Sequence, residues 1–169
     1  MIYNDSWHYD LIPFLAKGLG VKKFLELGCH QGKLLARMVG LGVECVVGVD
    51  FAHRAEVEGA TAYFLNTDEF FTGEAAKFAP FDMIFIDCDH TESAVERDFN
   101  YSIKCVGENG LVLLHDTLPM DEDGTRPDRS GTAYRFAERL RSNDEYEVCT
   151  LPFSPGLTIV RKRSKQVPW

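Results

Sequence analysis

The chain reads as an α/β protein of three layers: a doubly wound, seven-stranded, mostly parallel sheet that ends in a C-terminal antiparallel hairpin. Three observations predict this. Five short runs, at 24–27, 45–49, 62–65, 81–86 and 111–114, are apolar almost throughout rather than alternating, as strands buried on both faces are. Stretches with helical spacing of apolar residues separate most of them. The last two strand-like runs, 146–151 and 157–160, are joined only by a short turn with Pro152 and Gly156, so they must run antiparallel.

Each element has a local reason. Leu11, Phe14, Leu15 and Leu19 give the first helix an apolar face, and Gly18 and Gly20 end it; Pro13 fits only near its start. The run Phe24-Leu25-Glu26-Leu27 is a strand stopped by Gly28. Leu35, Met38 and Val39 line a helix that begins near Gly32 and is punctuated by Gly40 and Gly42. The second strand ends at Asp50. The third, 62–65, reads as buried and is followed by a helix with Thr67 or Asp68 as N-cap. After the fourth strand, Val95, Phe99, Ile103 and Val106 form one face of a helix over 92–106. The fifth strand, 111–114, leads into a polar loop up to Gly131, and Ala133, Phe136, Ala137 and Leu140 mark the last helix.

At 169 residues the chain has the length of one domain, taken as 1–169. Hydrophobic residues make up 45% and charged residues 26%, which excludes a chain disordered throughout. The net charge of −8 disfavours binding to a phosphate backbone. The basic run Arg161-Lys162-Arg163-Ser164-Lys165 reads as a solvated end. No apolar run approaches the ~20 residues of a membrane span, and residues 1–5 do not read as a signal peptide. The five cysteines include no C-x-x-C pair, so zinc and dithiol redox chemistry are not indicated. Reduced, buried cysteines in a cytoplasmic protein are the expectation.

Ligands of open parallel sheets sit beyond the carboxyl ends of the strands. There the chain carries Gly28-Cys29-His30-Gln31-Gly32 after the first strand and Asp50 after the second. Gly28 permits a sharp turn, and Gly32 lets a helix start close to a ligand. A dinucleotide fingerprint needs a glycine where His30 stands, so the spacing argues against a pyrophosphate-bearing ligand. Asp50 is placed to accept both hydroxyls of a ribose, and Glu26 to attract an amine. The pattern suits a nucleoside with an amino-acid tail; the bland alternative is a tight turn and a solvated strand end.

These residues resemble the class I S-adenosylmethionine-dependent methyltransferases, over nearly the whole chain. Leu25 to Gly32 is similar to their first motif, with His30 where a glycine is frequent. Phe85-Ile86-Asp87-Cys88-Asp89-His90 and Leu114-His115-Asp116 resemble a subgroup containing small-molecule O-methyltransferases, with Cys88 at a glycine position. The resemblance implies a Rossmann-like methyltransferase fold, S-adenosylmethionine as cofactor and a small-molecule acceptor methylated at a hydroxyl oxygen. It implies cofactor contacts from Glu26, Gly28, Cys29, His30, Gly32, Asp50, Phe51, Thr67, Asp68 and Asp87.

Asp87, Asp89, His90, His115 and Asp116 fall at the ends of two strands. Clustered carboxylates call for a cation: either the cofactor's own, or a divalent metal such as Mg2+. The resemblance to metal-dependent O-methyltransferases implies Asp87, His115 and Asp116 as ligands, although an imidazole is a poor partner for Mg2+. His90 is the candidate general base, with a pKa near neutrality and Asp87 and Asp89 orienting it; the bland reading makes it a helix cap. The loop between Thr117 and Gly131, with Asp121, Glu122, Asp123, Arg126 and Arg129, reads as a lid or substrate loop. A homodimer or separate subunit is expected to complete the acceptor cover. Two other readings stand beside methyl transfer: a cofactor-binding domain without activity of its own, and a nicotinamide-dependent oxidoreductase.

Overall fold

A computed structural model of the chain describes residues 7–52, 55–118, 131–153 and 155–164. The elements follow in the order α1 (His8–Leu19), β1 (Lys23–Leu27), α2 (Lys33–Gly40), β2 (Cys45–Asp50), β3 (Thr61–Phe64), α3 (Thr67–Gly73), β4 (Phe81–Ile86), α4 (Glu92–Cys105), β5 (Val106–His115), α5 (Ala133–Arg141), β6 (Tyr146–Leu151) and β7 (Leu157–Lys162). The sheet order is β3-β2-β1-β4-β5-β7-β6. The pairs from β3 to β5 are parallel, and β7 runs antiparallel to both β5 and β6. The chain therefore reverses direction across the sheet between β1 and β4, the position where the rim of such a sheet opens into a crevice.

Alternation along each strand divides the core between two faces. Leu25, Leu27, Val47, Val49, Ile84 and Ile86 point to the side covered by Phe99 of α4 and Phe136 of α5. Phe24, Val46, Met83, Phe85 and Leu113 point to the side covered by Ile12 and Ala16 of α1 and by Leu34, Leu35 and Met38 of α2. This is the expected three-layer arrangement. Among the described residues no helix is long and apolar enough to cross a membrane.

Several local expectations need correction. The buried stripe of α1 is His8, Ile12 and Ala16; Phe14 and Leu19 are 73% and 61% exposed. Pro13 lies inside α1, where it has no N–H for the Tyr9 carbonyl; that carbonyl accepts from Arg37 Nη1 of α2 at 3.0 Å instead. The third strand is an edge strand, and its Phe64 is 58% exposed. The N-cap of α3 is Asn66 rather than Thr67 or Asp68. Its side chain accepts from the Glu69 N–H while Glu69 accepts from the Asn66 N–H, a reciprocal capping box. The fifth strand starts early, at Val106, and its pairing jumps from Phe81↔Val106 to Met83↔Leu111 across an irregularity. Of the cysteines only Cys29 is buried; Cys149 is exposed because it faces outward on the edge strand β6. In the basic run, Arg161 is paired to Glu147 and Lys162 Nζ donates to the Val106 carbonyl.

Candidate active site

The turn after β1 is tied to both neighbouring strands. The Gly28 N–H donates to Val49 O at 2.8 Å, and the Asp87 N–H donates to Leu27 O at 2.9 Å. Gly28 has φ +86, and a Cβ there would lie 2.1 Å from the Asp87 carbonyl oxygen. Only glycine lets the two backbones meet this closely. His30 follows with φ 46, also left-handed. Its N–H donates to Asp50 Oδ2 at 2.8 Å, and the Ala52 N–H donates to Asp50 Oδ1 at 2.8 Å. The Asp50 carboxylate thus clasps the bend.

A cavity of about 330 Å³ opens over this bend, within the range of small-ligand sites. Gly28, His30, Asp50, Phe51, Thr67 and Asp87, all expected at a cofactor site, line it. Four expected residues do not. Cys29 turns inward against Gly48, and burial together with the Glu26 charge pushes its thiol up to about 12. Gly32, with φ +76, is close to Val57 and Ala55 rather than to a ligand. Asp68 faces Arg97, its Oδ1 3.7 Å from Nε. Glu26, two residues before Gly28, is only 3% exposed, and among the described residues its Oε2 has no hydrogen-bond partner. Burial first, then the charges of Asp87 and Asp50, hold the Glu26 carboxyl well above the usual range. Asp89, Val49 and Ala52 line it too, as do Leu65, Asn66, Cys88 and Arg97. The last four are not among the site residues the sequence points to, Cys88 entering only as a residue at a glycine position. His53, Trp169 and the loop residues Asp121, Glu122, Asp123, Arg126 and Arg129 lie outside the described residues.

Beside the cavity the ends of β4 and β5 bring two acids and two histidines together. His90 Nδ1 is 2.8 Å from Asp116 Oδ2, and its Nε2 is 3.5 Å from Asp87 Oδ1. Beneath them, His115 Nδ1 is 3.0 Å from Asp87 Oδ1 and 3.5 Å from Asp116 Oδ2, an ion-pair contact rather than a well-directed hydrogen bond. Asp116 has φ 55, a left-handed backbone at the point where β5 must turn its carboxylate back into the cluster. The hydrogen bonds to Asp116 and then Asp87 raise His90 to about 10. Burial opposes the charge on His115, but Asp87 and Asp116 outweigh it and raise it to about 10 as well. Burial likewise opposes the charges on Asp87 and Asp116, and the histidines hold both carboxyls below the usual range. The expectation of a near-neutral His90 is not met: its two carboxylate neighbours favour the imidazolium. Asp89 does not orient it; its Oδ1 accepts from the Thr91 N–H at 2.9 Å. Thr91, not His90, caps α4.

The donor atoms of Asp87, His90 and Asp116 lie within 4.8 Å of one another. His115, expected as a metal ligand, is not in that group. It packs behind the carboxylates, its ring 4.5 Å from that of His8.

A family model described as a methyltransferase domain matches residues 25–117. A curated protein of Geobacillus sp. (strain WCH70) that carries a provisional methyltransferase name is 31% identical over 138 residues; the match covers 69% of this chain and 53% of that protein. The chain thus spans about half the length of that relative. A crystal structure of a provisionally named caffeoyl-CoA O-methyltransferase from Staphylococcus aureus superposes with a TM-score of 0.77 at 21% identity, over 95% of this chain and 85% of that one. The methyltransferase MycE of the mycinamycin biosynthetic pathway, solved in complex with Mg and S-adenosylhomocysteine, gives 0.70 at 18% identity over 100% of this chain and 53% of its own. These two likenesses show a shared fold.

Proposed function

We propose, for a chain that belongs to the methyltransferase-domain family, that it transfers a methyl group from S-adenosylmethionine to a hydroxyl oxygen of a small-molecule acceptor. The observation that carries this reading is the cavity over the Gly28 bend, with the Asp50 carboxylate, His30, Thr67 and Asp87 in its wall; two residues before Gly28, Glu26 Oε2 is buried with no hydrogen-bond partner among the described residues. An unpaired buried acceptor costs about 1–3 kcal/mol. An ammonium group beside Glu26 would supply both the missing donor and the charge that favours its ionised form. The Asp50 carboxylate, in the cavity wall at the end of β2, suits ribose hydroxyls. Gly28, His30, Phe51, Thr67 and Asp87 would form the rest of the cofactor wall. When bound, S-adenosylmethionine supplies an electrophilic methyl on a sulfonium.

The remaining work falls to the chain. The acceptor oxygen must be held in line with the methyl, and its proton must leave as the new C–O bond forms and the C–S bond breaks. His90 is the most exposed member of the acid–histidine cluster, 36% at its side chain, and is where an acceptor would meet it. Both of its nitrogens face carboxylates. Proton uptake therefore belongs to the coupled His90–Asp116–Asp87 group, not to a free imidazole, and the rate rises with pH as that group loses its proton. The donor set does not fit Mg2+. Each carboxylate already holds an imidazole, and the third donor is a nitrogen where Mg2+ takes oxygen. No step is assigned to an ion.

Calorimetry with S-adenosylmethionine, S-adenosylhomocysteine and NAD+ tests the reading. The two sulfur nucleosides should bind and NAD+ should not; binding of NAD+ with silence from the other two would overturn it.

A further inference from the structure

Asp98 lies in α4 with no exposed surface, a rare place for a carboxylate unless donors surround it. Three do. The Thr67 hydroxyl donates to its Oδ1 at 2.7 Å, the Cys88 thiol to its Oδ2 at 3.0 Å, and Arg97 Nε to its Oδ1 at 3.1 Å. Arg97 Nη2 also donates to the Thr67 hydroxyl at 3.1 Å. The donors come from α3, the exit of β4 and α4. All three line the cavity, while Asp98 itself stands behind its wall. Burial, then the Asp98 charge, push the Cys88 thiol well up, so the sulfur keeps the proton it donates. Arg97 is 44% exposed at its side chain. With five N–H donors and no acceptor, the guanidinium keeps donors to offer beyond those given to Asp98 and Thr67.

We propose that Asp98 is a positioning residue: it holds Arg97 against the base end of the cavity, where the guanidinium stacks on and donates to a purine ring. The proposal rests on the reading of the cavity as a nucleoside site. With Asp50 on the ribose, the base falls to the rest of the wall, where Leu65, Thr67 and Arg97 stand together with Phe51, Asn66 and Cys88. A planar guanidinium suits a purine, whose ring nitrogens accept hydrogen bonds and whose face attracts a cation.

The test is binding of S-adenosylhomocysteine by calorimetry and of adenosine by NMR titration. Asp98→Asn and Arg97→Gln should each weaken both ligands by about tenfold, the loss of one charge-assisted contact. The double substitution should weaken them no further, because the second change removes what the first has already released. A purely structural role would lower thermal stability without this matched, non-additive loss. Should Asp98→Asn fail to fold, Arg97→Gln, at a half-exposed position, decides alone. Unchanged affinity in folded Arg97→Gln overturns the proposal, as do additive losses or a loss confined to S-adenosylhomocysteine. A wild-type protein that binds neither ligand takes down the nucleoside reading as well, whereas wild-type binding with an indifferent Arg97→Gln removes only this proposal.

Discussion

The two halves of the rim at the carboxyl ends of the strands are built differently. On the β1–β2 side the main chain does most of the shaping: Gly28 meets the Asp87 carbonyl, and the His30 and Ala52 N–H groups fasten onto Asp50. On the β4–β5 side, side chains do it: two carboxylates and two imidazoles compensate one another within 3.5 Å. The first half leaves an open cavity and, in β1 beside it, one carboxyl oxygen, Glu26 Oε2, with no hydrogen-bond partner among the described residues. The second leaves almost no unbalanced charge. A surface that recognises can keep an unmet need until its ligand arrives. A surface that moves protons needs its charges coupled beforehand.

Substitutions can break this contrast. The largest effect is expected from His90→Ala. Turnover of whichever hydroxyl acceptor the wild type methylates should fall about 10²–10⁴-fold, the usual scale for losing a proton-transfer group, while S-adenosylhomocysteine affinity stays unchanged and the wild-type rate is indifferent to a chelator. A His90→Ala enzyme at full rate would deny the cluster its chemical role. Next comes Asp50→Ala, which should weaken S-adenosylhomocysteine by about 1.5–3 kcal/mol, the range for hydrogen bonds to a charged group. Affinity at the wild-type level would mean that Asp50 serves only the bend.

The smallest effect concerns pH and stability. The folded pKa of His115 is raised from 6.5 to about 10. Its pairing with Asp87 and Asp116 therefore stabilises the fold fully below pH 6.5, and that contribution drains away as the pH climbs to about 10. Thermal denaturation across this window should show a declining Tm in the wild type and a flatter profile in His115→Gln. Identical slopes would show that His115 is not charged in the native protein.

The sequence made the two halves unequally legible. Gly28 and Asp50 were readable because they end apolar strands, where the sheet itself dictates a rim. The runs 81–86 and 111–114 likewise placed Asp87 and Asp116 at strand ends; that the two strands are neighbours is read from the sheet order. How the side chains are shared was not readable: that His115 backs the carboxylates instead of facing a ligand depends on the left-handed turn at Asp116. The apolar face of Val95, Phe99 and Ile103 does not by itself point to Asp98. Yet Val95, Asp98 and Ser102 share the buried side of α4 with Phe99 and Ile103, and that spacing was a usable signal. The edge position of the third strand and the jump within β5 depend on pairing partners, which local apolarity does not encode.

One small linkage has a long reach. The His90 carbonyl accepts from the Thr132 and Ala133 N–H groups at 2.8 and 3.0 Å, and the Leu118 N–H donates to Pro155 O at 2.9 Å. Residues 118 and 132 are thus two riveted posts beside the reactive cluster. Both fastenings use main-chain atoms alone, so the side chains at 118 and 132 can be exchanged without unfastening the exit of β5 or the entry of α5.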